Sequence, residues 1–306
     1  MAAKTISVIG ALNYDLIMIA DHVPDGGESL QSNEYHEALG GKGANSAIAA
    51  YRTCHHALAK ARHATATNAA TNPDATASTT TAIMKQGFQN SQLDIKTHPP
   101  VPVNVRMIGA VGDDNYGQRF KSELIENGVD CSGLVTVQDT RSGICFVIVE
   151  TFTRENRCLF TLGATGSWTK ENFQTIEQLG GGTRPDLCVA QMEIDKEVVE
   201  QMIETAGKAK VDFVLNAAPA NPITERVYRY ITHLLVNESE AAIMSGRDPD
   251  EVSKDSWDTI CQEFLDRGVQ NVVITLGNKG AYYANQHQCG HAKAYEVEVL
   301  DTTGAG

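Results

Sequence analysis

Apolar residues along the chain come in short runs, separated by glycines, prolines and polar turns, and their spacing decides what each run becomes. Thr5 to Ile9 is a β-branched run ending at Gly10. Asn13 and Asp15 then precede the apolar stretch Leu16–Ala20, so strand, polar loop and strand follow in order. Gly40-Gly41-Lys42-Gly43 punctuates the chain before Ala44–Tyr51, where alanine-rich sequence with apolar residues at helical spacing predicts a helix. From Val103 the alternation is regular. Strands are predicted at Val105–Val111, Gly143–Glu150, Leu187–Met192, Val211–Leu215, His233–Val236 and Asn271–Leu276. Helical spacing covers Tyr116–Asn127, Thr169–Gln178, Lys196–Lys208, Ile223–Tyr230 and Asp255–Arg267. Strands alternating with helices predict an α/β fold, a mainly parallel sheet flanked by helices on both faces. The early strands have no helices between them and predict a small antiparallel β lid over about residues 12–40.

One region breaks this pattern. Between about residues 60 and 100 the chain runs through ATATNAATNPDATASTTTA (Ala64 to Ala82), which has almost no large apolar side chain. Such a segment cannot offset an ordering entropy of roughly 1–2 kcal/mol per backbone residue. It is expected to be a solvated, disordered insertion, a helix running on to Arg62 being the one element allowed for there. The 306 residues, 42% hydrophobic overall, allow one large domain or two smaller ones; a single domain spanning 1–306 and incomplete at its C-terminus is expected.

Composition narrows the functional classes. A formal net charge of −13 disfavours non-specific binding to nucleic acid or to anionic membrane, both of which need cationic surface. No stretch is long enough to span a bilayer, and MAAKTISVIG lacks the regions of a secretory signal. Seven scattered cysteines with no C-x-x-C pair suit reduced thiols. A cytoplasmic address is expected, with the nucleus also allowed.

Three segments carry candidate chemistry. GGKGAN (Gly40 to Asn45) immediately precedes a helix, where glycines let the backbone approach a ligand and Lys42 adds charge; a plain turn before a helix is the alternative. It is not a Walker A loop, since G-x-x-x-x-G-K-[ST] is absent. Asn13 and Asp15 follow the first strand, where ligands of open α/β sheets collect, or else they form an Asx turn. DTTGAG (Asp301 to Gly306) follows the strand-like YEVEVL; its amides could surround an anion, or simply turn the chain into a helix.

Taken in order, N-x-D, GGKGAN, GAVGDDNYG (Gly109 to Gly117), VNESE, VVITLGNKGAYY and DTTGAG resemble the ribokinase family of sugar kinases. The resemblance covers Ile6–Tyr51 and Val103–Gly306. It implies ATP-dependent phosphorylation of D-ribose to D-ribose 5-phosphate, with ATP, Mg²⁺ and K⁺ as cofactors. By position, it implies that Asn13, Asp15, Gly41, Lys42 and Asn45 line the sugar site. Glu155, in TREN, matches a further sugar-contacting carboxylate, although ETFTR before it lacks the family's glycines. Asn237 and Glu240 of VNESE match the motif near the phosphates and Mg²⁺, and Thr275, Gly277 and Gly280 the nucleotide loop. Asp301 and the Thr303 carbonyl match a K⁺ site, and Gly304, Ala305 and Gly306 an anion hole.

The resemblance also implies a lid that closes over the sugar and forms a homodimer contact, and a catalytic aspartate directly after G-A-G. The sequence stops at Gly306, and is expected to be a fragment of an active kinase, a genuine short product being the alternative. This polypeptide is expected to be inactive or nearly so, since a positioned base is worth on the order of 10²–10⁴ in rate. A kinase for another sugar or a nucleoside, and a non-catalytic sugar- or nucleotide-binding protein, are the alternatives. Cys54, His55, His56 and His63 invite a zinc reading, but structural zinc wants four well-placed ligands and their spacing, beside an insertion expected to be disordered, defines no such set. Trp168 and Trp257 read as packing residues.

Overall fold

The structure, a computed structural model, describes residues 3–55, 102–153 and 155–296. The predicted insertion and the DTTGAG segment therefore lie outside the described residues. In chain order the elements are β1 (Lys4–Ile9), β2 (Asn13–Ala20), β3 (Glu34–Gly40), α1 (Lys42–Cys54), β4 (Val103–Gly112) and α2 (Asn115–Glu126). Then come β5 (Asp130–Val137), β6 (Gly143–Glu150), β7 (Asn156–Thr161), α3 (Ile176–Leu179), β8 (Leu187–Gln191), α4 (Lys196–Lys208) and β9 (Asp212–Asn216). The last are β10 (His233–Asn237), α5 (Glu238–Ser245), α6 (Trp257–Asp266), β11 (Asn271–Thr275), β12 (Ala281–Asn285) and β13 (Cys289–Ala292).

The main sheet has nine strands in the order β13-β12-β11-β10-β9-β8-β1-β4-β5. From β5 to β11 every pairing is parallel; β12 and β13 add an antiparallel edge. Alternate residues of one strand feed different cores, as a two-sided sheet requires. Val8 packs with Val105, Met107, Ala44, Ala47, Phe120 and Leu124 under α1 and α2. Ile9 packs on the other face with Ala190, Leu215, Val199, Met202 and Ile203, against α4. The expected α/β architecture is thus present. Among the described residues no helix is long and apolar enough to cross a membrane.

The lid is a separate four-stranded sheet, β3-β2-β6-β7. Its strands are not confined to residues 12–40: β6 joins β2 in parallel, while β2–β3 and β6–β7 are antiparallel. Tyr14 ties its base to the main body. Its ring stacks on Tyr116 at 4.7 Å, meets Phe120 edge-on at 5.6 Å and lies 4.6 Å under the Arg119 guanidinium.

Two predicted helices take other forms. Thr169–Gln178 divides into a 3₁₀ turn, Lys170–Phe173, and the single turn α3, because Thr169 and Thr175 each open a capping box, with Asn172 and Gln178. Ile223–Tyr230 is a 3₁₀ segment, Glu225–Tyr230. Strands β5, β7, β12 and β13 fall outside the sequence-predicted set.

Candidate active site

The direction of travel in the main sheet reverses at β1. The chain moves outward from β1 to β4 and β5, then returns to lay β8 on the other side of β1. Such a switch point opens a crevice beyond the carboxyl ends of the two strands, where open α/β sheets bind ligands. Gly10 follows β1 there, and Gln191 ends β8 opposite it.

Glycines let α1 seat its first turn in this crevice. A Cβ on Gly43 would lie 2.6 Å from the carbonyl carbon of Gly10, and one on Gly41 2.6 Å from the Ala11 oxygen and 2.7 Å from the Asn13 nitrogen. Gly41 also holds φ at 84°, in the left-handed region that side chains disfavour. The GGKGAN glycines are therefore required by close backbone approach. Asn45 begins the α1 ladder, its amide donating to the Gly41 carbonyl at 3.1 Å.

Two carboxylates converge on that turn. The Lys42 amide donates to Glu193 Oε2 at 2.7 Å. Burial, and then the neighbouring Glu193 charge, push Asp15 up to about 6. Burial raises Glu193 too, opposed by the Lys42 amide and the Lys42 charge. Two buried oxygens beside them have no partner among the described residues: Asn13 Oδ1 and Gln191 Oε1. Gln191 spends its amide on Ser46 Oγ at 3.0 Å. Unpaired buried acceptors are costly unless a ligand or water donates to them. Their presence here suits a polyhydroxylated molecule.

The nucleotide-side candidates stand along the same sheet edge. Asn237 ends β10 and caps α5: its Oδ1 accepts from the Glu240 amide, and its amide donates to Glu240 Oε2, both at 2.8 Å. Burial raises the Glu240 carboxyl, against the Asn237 amide and the Lys42 charge. Lys42 thus acts electrostatically on Glu193 and on Glu240 and links the two groups of candidates. Thr275 pairs with Asn237 in register at the end of β11. Gly277 and Gly280 follow at φ 57° and 99°, around a 3₁₀ turn.

Asn13, Asp15, Gly41, Lys42 and Asn45 are brought together. Glu155 is not. It is exposed in the β6–β7 hairpin, its amide donating to Thr153 Oγ1 at 3.1 Å. The register sets Val149 against Asn156 at that end, whereas Asp15 pairs with Cys145 at the other. The carboxylate that stands by Asp15 is Glu193, two residues past β8, which the sequence reading did not single out. Its position just beyond a strand adjoining β1 was the available signal. Asp301, Thr303, Gly304, Ala305 and Gly306 lie outside the described residues.

Trp257 is buried in the core, and Trp168 meets Phe173 edge-on at 5.0 Å, as packing residues do. A cavity of about 710 Å³ lies elsewhere, between the lid and α2, with Glu37, Tyr116, Arg119 and Arg141 in its wall. The Arg119–Glu37 ion pair sits there and serves to join α2 to β3. Neither Asp15 nor Glu193 lines this cavity, and the switch point remains the candidate site.

Comparison with known proteins gives the same direction. Residues 75–306 match the family model described as pfkB family carbohydrate kinase. The chain is 30% identical over 305 residues to a ribokinase of Schizosaccharomyces pombe, an alignment covering 98% of this chain and 81% of the relative. It is 27% identical over 306 residues to a deoxyribokinase of Salmonella typhi, covering 98% and 81%. In fold it matches a ribokinase of Arabidopsis thaliana complexed with ribose and ATP, with a TM-score of 0.73 at 20% identity, over 100% of this chain and 82% of that one. The chain belongs to the pfkB family of carbohydrate kinases, transferases that move a phosphoryl group onto a sugar hydroxyl.

Proposed function

We propose that the acceptor is D-ribose, phosphorylated at its 5-hydroxyl by ATP. The observation that carries this reading is the convergence of Asp15 and Glu193 on the first turn of α1, beside the unpartnered oxygen of Asn13. Vicinal hydroxyls are donors, and two carboxylates and an amide oxygen are acceptors for them. The Lys42 charge balances the pair and faces the nucleotide side as well. Asn237, Thr275, Gly277 and Gly280 bind the nucleotide, by resemblance.

Glu240 fits Mg²⁺ held through water: one carboxylate oxygen is engaged by the Asn237 amide, and no bond to the other is found among the described residues. Mg²⁺ neutralises charge developing on the transferred phosphate when bound. Asp301 and Thr303 are assigned to K⁺, and Gly304, Ala305 and Gly306 to the anion hole, on resemblance alone. This chain's own residues do the positioning. They orient the sugar, and the lid excludes water that would otherwise hydrolyse ATP.

The lid is also assigned the homodimer contact. Met18, Tyr35, Phe146 and Leu159 share its outer face by register and are all exposed. The cytoplasm is the compartment, in keeping with seven cysteines that are all unpaired.

Titration calorimetry with D-ribose, 2-deoxyribose, fructose and adenosine tests the acceptor. D-Ribose is expected to bind tightest, and Glu193→Gln to weaken it about tenfold or more, the loss of one hydrogen bond to a charged acceptor. Tighter binding of adenosine or deoxyribose would replace the acceptor. An unchanged affinity in Glu193→Gln would remove Glu193 from the site.

A further inference from the structure

The lid's inner face carries a feature the kinase reading does not use. Asp15 and Cys145 are register partners on adjacent parallel strands, so their side chains leave the sheet on the same side. On the next strand Phe160 pairs with Cys145 and Cys158 with Val147. Cys158 is therefore the diagonal neighbour of Cys145 on that same face. Cys145 is half-buried and Cys158 exposed. The two thiols also interact: burial foremost, then the Asp15 charge and Cys158, push Cys145 up to about 12. Asp15 thus stands directly beside this pair.

We propose that Cys145 and Cys158 form a thiol–disulfide pair whose closure weakens sugar binding, an inference resting on the sugar-site reading above. The oxidant is a low-molecular-weight disulfide. The exposed Cys158, as thiolate after its proton passes to solvent, attacks one sulfur of that disulfide and releases one small thiol. Cys145 then attacks the Cys158 sulfur of the mixed disulfide, loses its proton and displaces the second small thiol. Two protein thiols are oxidised and one disulfide is reduced to two thiols.

Closure requires Cβ atoms about 3.5–4.5 Å apart, closer than diagonal neighbours in a regular ladder. Strand β7 can supply that shift. Among the described residues it is the edge of the lid sheet, paired with β6 alone, and all of its residues are exposed. Drawing Cys158 toward Cys145 moves Phe160 as well, since Phe160 is the register partner of Cys145. The displaced edge and the new bridge then crowd Asp15, and the sugar has less room.

The full chain, first kept reduced, is titrated with D-ribose by calorimetry. This step alone tests the sugar site: absence of binding here rejects the sugar reading before any oxidant is added. The protein is then incubated with oxidised glutathione, with and without ribose, peptide-mapped by mass spectrometry and titrated again. Expected are a Cys145–Cys158 cross-link, slower formation when ribose is present, ribose affinity about tenfold weaker (roughly one charge-assisted hydrogen bond), and full recovery in dithiothreitol. Cys158→Ser should keep the affinity of the reduced protein and resist the oxidant. The proposal is overturned by absence of the cross-link, by a cross-link that leaves ribose affinity unchanged, or by equal loss of affinity in Cys158→Ser.

Discussion

Asp15 shows how burial sets a pH window. Its carboxyl titrates near 3.8 in an ordinary setting and near 6 in the fold, chiefly through burial and then through Glu193. Between those values the folded chain holds more protons than the unfolded one, so this group's contribution to stability falls as pH rises through the window. Sugar binding has the opposite sense, because only the ionised carboxylate accepts from two hydroxyls. Ribose affinity is expected to drop below about pH 6, and Asp15→Asn to abolish that break while weakening binding by about 10–100-fold. Calorimetry across pH 5 to 8, roughly the span that brackets the shifted group, measures both. A break that persists in Asp15→Asn would assign it to another group.

The same neighbourhood marks the limit of sequence reading. Asn13, Asp15, Lys42 and Asn45 were legible because they fall in two short motifs of the first 45 residues, at the start of β2 and in the first turn of α1. Glu193 reaches Lys42 across 151 positions, through strand order that local pattern does not carry. Glu155 was selected by a local match, and no turn chemistry in TREN reveals which end of a hairpin faces the ligand.

Among the elements, α2 rests on one aspartate. Asp114 caps it, its Oδ1 accepting from the Gly117 amide at 2.9 Å and the Ser142 hydroxyl at 2.7 Å, and its Oδ2 from the Ser142 amide at 2.9 Å. Burial works against its charge, but the Ser142 and Gly117 donors prevail and hold it below the usual carboxylate range. That contribution is present above the ordinary carboxylate value and is lost as pH falls through the lowered one. Asp114→Ala is expected to cost about 2 kcal/mol, a cap and its companion bonds, and to flatten the acid limb of the stability curve. Urea titration at several pH values reads both; a loss independent of pH would deny the carboxylate this role. The long amphipathic helices α4 and α6 were visible in sequence, and α2 was too, though not the aspartate that caps it. Strand β7 was not, because NRCLFT is exposed on both faces and no buried side imposes a period of two. Strands β12 and β13 are short and bounded by turns, so little pattern accumulates.

At the scale of the molecule, the α/β order followed from the alternation of strands and helices, whereas the lid's four-strand assembly depended on β6 pairing with β2 across the sequence. The outer face of that assembly suits self-association. Analytical ultracentrifugation is expected to show a dimer that Leu159→Glu converts to monomer, with a monomeric parent chain as the result that would reject the lid contact.

Between lid and body, β3 gives way to α1 through Gly41 alone, and that residue already stands at φ 84° with backbone atoms pressed around it. No slack separates the smaller sheet from the turn that carries Lys42. On the proposed reading, a tilt of the hood passes straight to the cation poised between acceptor and donor, which would make gripping the pentose and readying the phosphates one mechanical act.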